Sequence, residues 1–140
     1  MTTQLPALAL SLTLAATAAA GDGITLTDTD SFDWETTPEG VAFAPLQGDR
    51  FVEAYQAMVR LPAGITSPLH VKSANMFGVL LQGEMIHYAD GTDPAKAQPI
   101  GAGAFYEIPR GLAHVSACVS ATPCIAYLYQ DGAFDFQPVQ

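Results

Sequence analysis

Positive charge is scarce in this chain. Five Lys and Arg stand against 14 Asp and Glu, a formal net charge of −9 over 140 residues. No cluster of basic residues is available to neutralise a phosphate backbone or to grip an anionic lipid surface. Nucleic acid and membrane are therefore excluded as partners of the mature chain. Charged residues of both signs make up only 14% of the chain and hydrophobic ones 49%, which excludes a disordered polymer. Beyond residue 23 there is no fixed-period repeat, no low-complexity tract and no useful run of 3.6-residue apolar periodicity, so a helical bundle is excluded as well. No Ser-His-Asp order, Cys-His nucleophile or Gly-rich phosphate loop is legible.

Twelve Gly and ten Pro punctuate what is present. Strand signals recur at short intervals: Val41 to Ala44, Ala54 to Leu61, His70 to Lys72, Met76 to Leu81, Glu84 to Tyr88, Ala104 to Ile108, Val115 to Val119, Ile125 to Tyr129 and Phe134 to Phe136. Gln82-Gly83 reads as a tight hairpin pairing residue 78 with 87 and 80 with 85. Many short strands with Gly/Pro turns predict an all-β sandwich or closed barrel.

The amino-terminal segment differs. Leu5 to Ala20 is an uncharged Leu/Ala/Ser/Thr stretch ending in Ala18-Ala19-Ala20, the pattern of a signal peptide, although Met1 to Gln4 carry no Lys or Arg. The alternative is an ordinary apolar N-terminal helix. The expected organisation is a signal peptide over 1–20, an arm over 21–36 and a domain over 37–140, with a periplasmic or secreted location. Cys118 and Cys124 agree with export. A hairpin around Ala121 would set them opposite each other for a disulfide, the alternative being two buried thiols.

Two spaced patterns carry a resemblance. The first is Gly64, five residues, His70, one residue, Lys72, three residues, Met76, six residues, Gly83. The second is Gly103, five residues, Pro109, one residue, Gly111, two residues, His114, three residues, Cys118. They resemble the two motifs of the cupin superfamily, over roughly residues 55–130. Pro38-Glu39-Gly40-Val41, Leu61-Pro62-Ala63-Gly64, Ser67-Pro68-Leu69-His70 and Tyr129-Gln130-Asp131-Gly132 resemble a set of small secreted cupins of unassigned function. The resemblance implies a cupin-type double-stranded β-helix, a jelly-roll barrel, behind a signal-like N-terminal helix. It also implies an inward face on which two His, a carboxylate and the second-motif His converge on a divalent transition metal.

This chain departs from that pattern. Lys72 stands at the second His and Met76 at the carboxylate. A lysine repels a divalent cation at neutral pH, and a thioether suits soft metals. The motif positions thus become a ligand pocket of His70, Lys72, Met76 and His114, in which an inward Lys72 would favour an anionic group. The parity of the expected hairpin sends His87 to the same face as Met76, giving an alternative metal set of His70, His114 and His87; otherwise His87 is a strand filler. Tyr106 or Glu107, Asn75 and Trp34 are candidate wall, mouth and end-cap residues, with core filler, strand edge or loop as the plainer reading of each. Three functions follow: an exported small-molecule-binding cupin, a metal-dependent cupin enzyme (dioxygenase, isomerase or lyase), or an interaction module that forms a homodimer. The third rests on Met76 to Leu81, which is apolar on both faces and needs outward cover.

Overall fold

The computed structural model describes residues 23–139. The expected signal peptide and signal-like helix lie outside them. Ten strands follow in order: β1 Glu35–Thr36, β2 Ala42–Gln47, β3 Tyr55–Leu61, β4 His70–Val71, β5 Met76–Gln82, β6 Met85–Ala89, β7 Phe105–Ile108, β8 His114–Cys118, β9 Cys124–Gln130 and β10 Gln137–Pro138. They form a six-stranded sheet in the order β1-β2-β3-β9-β5-β7 and a four-stranded sheet in the order β10-β4-β8-β6. All strand pairings are antiparallel. Among the described residues no helix is long and apolar enough to cross a membrane. The last expected strand shifts: Phe134 to Phe136 is irregular, and β10 begins one residue later.

Strand alternation decides what points inward. Met76, Gly78 and Leu80 of β5 are buried while their neighbours are less so, and β9 buries Cys124, Ala126, Leu128 and Gln130. One core cluster gathers Phe43, Tyr55, Ala57, Val59, Met76, Ile108 and Leu128. A second gathers Leu80, Met85, Cys118, Cys124 and Ala126. His70, Lys72, His114 and Gln130 are the polar residues buried with them among the described residues.

Two sequence-derived pairings are corrected. The segment Gln82-Gly83 does not close a hairpin between β5 and β6. β5 lies between β9 and β7, whereas β6 pairs with β8 in the other sheet, so the chain changes sheets at this turn. Gly83 has φ +85°, and a Cβ there would meet the Cys124 Sγ at 2.8 Å, so both backbone conformation and space require glycine. Close packing, rather than strand pairing, drives that corner. Likewise β8 and β9 are not a two-stranded hairpin around Ala121. They belong to different sheets, and the Cys118–Cys124 disulfide ties those sheets together inside the second core cluster.

The C-terminal segment closes one end of the interior. Gln130, fully buried, donates from Nε2 to the Ala133 carbonyl at 2.6 Å. Phe134 then packs edge-on to Phe43 at 5.5 Å, and Phe136 stacks on His70 at 4.1 Å. The chain continues into β10, where Gln137 pairs with Val71.

Replacing both Cys118 and Cys124 by Ala lowers unfolding free energy by about 2 kcal/mol, the figure for cross-linking so short a loop. Chemical denaturation of the oxidised protein and the double variant measures it; equal stabilities would contradict this role for the bridge.

Candidate functional site

Each motif histidine is held by its own strand entry. In β4 and β8, His70 and His114 are paired across the sheet, with ring centroids 4.2 Å apart. Both are buried. His70 Nδ1 donates to the Pro68 carbonyl and His114 Nδ1 to the Leu112 carbonyl, each at 2.9 Å. A carbonyl can only accept, so the ring proton sits on Nδ1 and the Nε2 lone pair of each faces away from the strand. Burial lowers both pKa values, that of His70 to about 4, so the imidazoles stay neutral at pH 7. Nε2 of His114 is buried with no hydrogen-bond partner.

His87 faces the same interior, though not through the expected hairpin. In β6 it shares a face with inward Met85, two residues before it, and lies opposite Ser116 of β8, with which its Nδ1 shares a hydrogen bond at 2.9 Å. Burial, with a smaller contribution from His114, lowers its pKa to about 4. Its Nε2 is also buried and unpartnered. The Tyr106 ring lies 4.4 Å away, centroid to centroid. Tyr106 takes the inward place and Glu107 is exposed outward. Tyr106 occupies the space above Gly78, its register partner, where a Cβ would fall 2.1 Å from the ring. Glycine at 78 is therefore what admits this ring to the interior.

Lys72 is buried at 7% exposure, but its ammonium is not free. Nζ donates to the Asp135 carbonyl at 2.7 Å and lies 4.3 Å from the Phe134 ring centroid. Burial lowers its pKa to about 8, against an opposing pull from Asp135. The expected role of Lys72 as an anion receptor is thus answered by the chain's own C-terminal segment. Met76 is core, packed in the first apolar cluster. Asn75 ties loops together, accepting from Arg110 N–H at 2.9 Å and donating to Asp131 at 2.6 Å. Trp34 lies against the Arg60 guanidinium at 4.5 Å.

The donor set fits half of a divalent-metal site. Two neutral imidazoles with their Nδ1 protons anchored on carbonyls are oriented as metal-ligating histidines usually are. The other motif positions do not fit, Lys72 being a cation and Met76 a thioether. Among the described residues there is no group of three or more His, Cys, Asp or Glu side chains that could hold a metal ion.

Sequence reasoning passed over Tyr55 and Gln130. The Tyr55 hydroxyl and Gln130 Oε1 are buried without partners, and their side chains are 2% and 0% exposed. A polar residue at an inward strand position was the signal available for both.

Comparison with known proteins agrees with this geometry. The architecture is that of cupin barrels: a polyketide cyclase, RemF from Streptomyces resistomycificus, superposes with TM-score 0.65 at 15% identity, covering 84% of this chain and 86% of that one. A predicted oxalate decarboxylase from Thermotoga maritima gives 0.62 at 19% identity, covering 77% and 99%. The cupin domain of Schizosaccharomyces pombe Cnp3 gives 0.62 at 18%, covering 75% and 72%. Within that class, residues 23–133 match the model of the ChrR Cupin-like domain, and the chain belongs to that family. No curated protein matches the sequence.

Acid should unfold this protein through its histidines. Their folded pKa values lie below the unfolded value of 6.5, so below pH 6.5 the unfolded chain takes up protons that the folded interior refuses. Stability falls as pH drops from 7 towards 4. His87→Gln keeps a polar group near Ser116 but cannot titrate. It should reduce the loss between pH 7 and pH 5 by on the order of 1–2 kcal/mol. Urea midpoints at both pH values for metal-free protein read it; an unchanged pH slope would contradict a neutral buried His87.

Proposed function

We propose that this chain is an exported ligand-binding cupin that holds a small polar organic molecule inside the barrel, against His70, His87, His114 and Tyr106. One observation carries the reading: Nε2 of His87 and of His114 are both buried on the inner wall with no partner. Unpaired buried polar atoms cost free energy, and a ligand that hydrogen-bonds to them recovers it. Lys72 is not the residue that selects the ligand, because its ammonium is already satisfied by Asp135 and Phe134. Export is part of the reading, supported by the apolar Leu5 to Ala20 stretch and by the Cys118–Cys124 bridge, a bond that persists in oxidising compartments. So is a homodimer, for which the outward Phe77 and Tyr129 stack at 5.9 Å, with exposed Leu81 and Phe105 nearby in the same sheet, offers an apolar face.

A second reading, a metal-dependent cupin enzyme, is favoured by a different observation. The Nδ1 anchors on Pro68 and Leu112 leave the Nε2 lone pairs of His70 and His114 ready to ligate. A bound divalent metal would supply Lewis-acid or redox chemistry, and the remaining ligands would have to come from outside this donor set.

One set of measurements separates the two. Protein purified with its disulfide intact is extracted with denaturant and the extract analysed by mass spectrometry, in parallel with metal analysis after reconstitution. The first reading predicts a retained small molecule, with occupancy falling about tenfold in His114→Leu and in His87→Leu. Absence of any retained molecule, together with no thermal shift across a metabolite panel, contradicts it. Near-stoichiometric metal that is lost in His70→Ala transfers support to the enzyme reading.

A further inference from the structure

Two further unpartnered buried groups, both able to donate, lie on other elements than the imidazoles. Between β2, the turn that follows it and the start of β3 lies a cleft of about 300 Å³. Phe43, Pro45, Phe51 and Ala57 give it apolar walls, and Arg50 and Tyr55 line it too. Arg50 Nη1 and the Tyr55 hydroxyl are each buried without a hydrogen-bond partner. Tyr55 is 2% exposed, so its hydroxyl cannot turn to bulk water.

Both orphans are donors. A guanidinium nitrogen can only donate, and burial pushes the tyrosine further above its ordinary pKa, keeping its proton. Such a site asks for oxygen acceptors. The charge around it decides which kind. Arg50 Nη2 already pairs with Glu35 at 3.0 Å, and Asp49 is a further lining residue. The arginine's charge is thus balanced before any ligand arrives. An anionic ligand would add a third negative charge beside the carboxylates of Glu35 and Asp49, in a chain of net charge −9. A neutral carbonyl oxygen accepts the same hydrogen bonds without that repulsion.

We infer that the Arg50–Tyr55 cleft is a binding site for an uncharged carbonyl compound, an amide, ketone or ester, with a small apolar or aromatic body. Arg50 and Tyr55 hold the oxygen, and Phe43 and Phe51 enclose the body. The guanidinium already rests 4.7 Å from the Phe43 centroid and 4.5 Å from that of Phe51. Both donor atoms are shut off from solvent, so a wall must turn to admit a ligand. Phe51, 66% exposed on the turn, is the wall least held by packing.

Tyr106 packs against the apolar cluster that holds Tyr55, so the two sites are told apart by residues that belong to one of them alone. Benzamide and benzoate, matched in body and differing in charge, are titrated into the full-length protein while backbone amide resonances of Phe43, Phe51 and Ala57 are followed by NMR. Saturable shifts with benzamide are expected, with benzoate binding about fivefold or more weakly. Arg50→Met and Tyr55→Phe each weaken benzamide about threefold or more, the effect of losing one hydrogen bond. Tyr55→Phe changes only the hydroxyl, so it carries the test alone if Arg50→Met fails to fold. Benzoate binding as tightly as benzamide overturns the proposal. So does a folded variant that binds benzamide like the parent, or a lack of saturable shifts at these residues. Shifts at His87 and His114 without shifts here would leave the barrel-ligand reading standing and sink this one.

Discussion

At Gly78 a side chain would begin 2.1 Å from the ring of Tyr106, and that missing atom decides what the barrel can contain. β7 delivers Tyr106 inward by alternation, directly opposite Gly78 in β5. With no Cβ in the way, the ring lies across the interior and reaches His87 on the facing sheet. The contact therefore joins the two sheets. It also dries His87, whose neutrality follows from burial more than from any neighbouring charge. A bulkier residue at 78 would push the ring out and open the histidines to water.

The C-terminal segment applies a second constraint. Phe134, Asp135 and Phe136 meet Lys72 and His70 with a ring, a carbonyl and a second ring. A lysine at a position where the superfamily motif has histidine would otherwise leave a cation in the core, at a cost of several kcal/mol. Here the charge keeps one hydrogen bond and a π face, and the same segment covers His70. The segment that satisfies Lys72 is also the one that covers His70. The interior thus presents imidazole lone pairs without the carboxylate that the superfamily motif places beside them.

Much of the barrel was legible in the sequence, because Gly64, Gly83, Gly103 and Gly111 sit where positive φ is required, with values between 74° and 87°. Alternation put His70 and Lys72 on one face, the family resemblance implied that this face and Met76 and His114 point inward, and all four are buried. That β5 and β6 lie in different sheets and do not pair was not legible. A short turn with Gly-83 looks the same whether the chain folds back in one sheet or crosses to the other, and what decides is packing against Cys124, remote in sequence. His87 still faces inward, since the face it shares with Met85 is local to β6. The capture of Lys72 by Asp135, 63 residues away, has no local signature at all. Neither does the Arg50–Tyr55 cleft, which depends on a turn bringing a surface-looking arginine over an inward tyrosine.

The barrel interior presents neutral imidazoles, and backbone carbonyls fix the proton positions of His70 and His114. Long-range proton–nitrogen NMR of the histidine rings, on metal-free protein at pH 7, tests it most directly. His70 and His114 are both expected to be neutral, protonated at Nδ1 and bare at Nε2, because the Pro68 and Leu112 carbonyls accept from Nδ1. A proton on Nε2 of either ring, or an imidazolium at that pH, would contradict it.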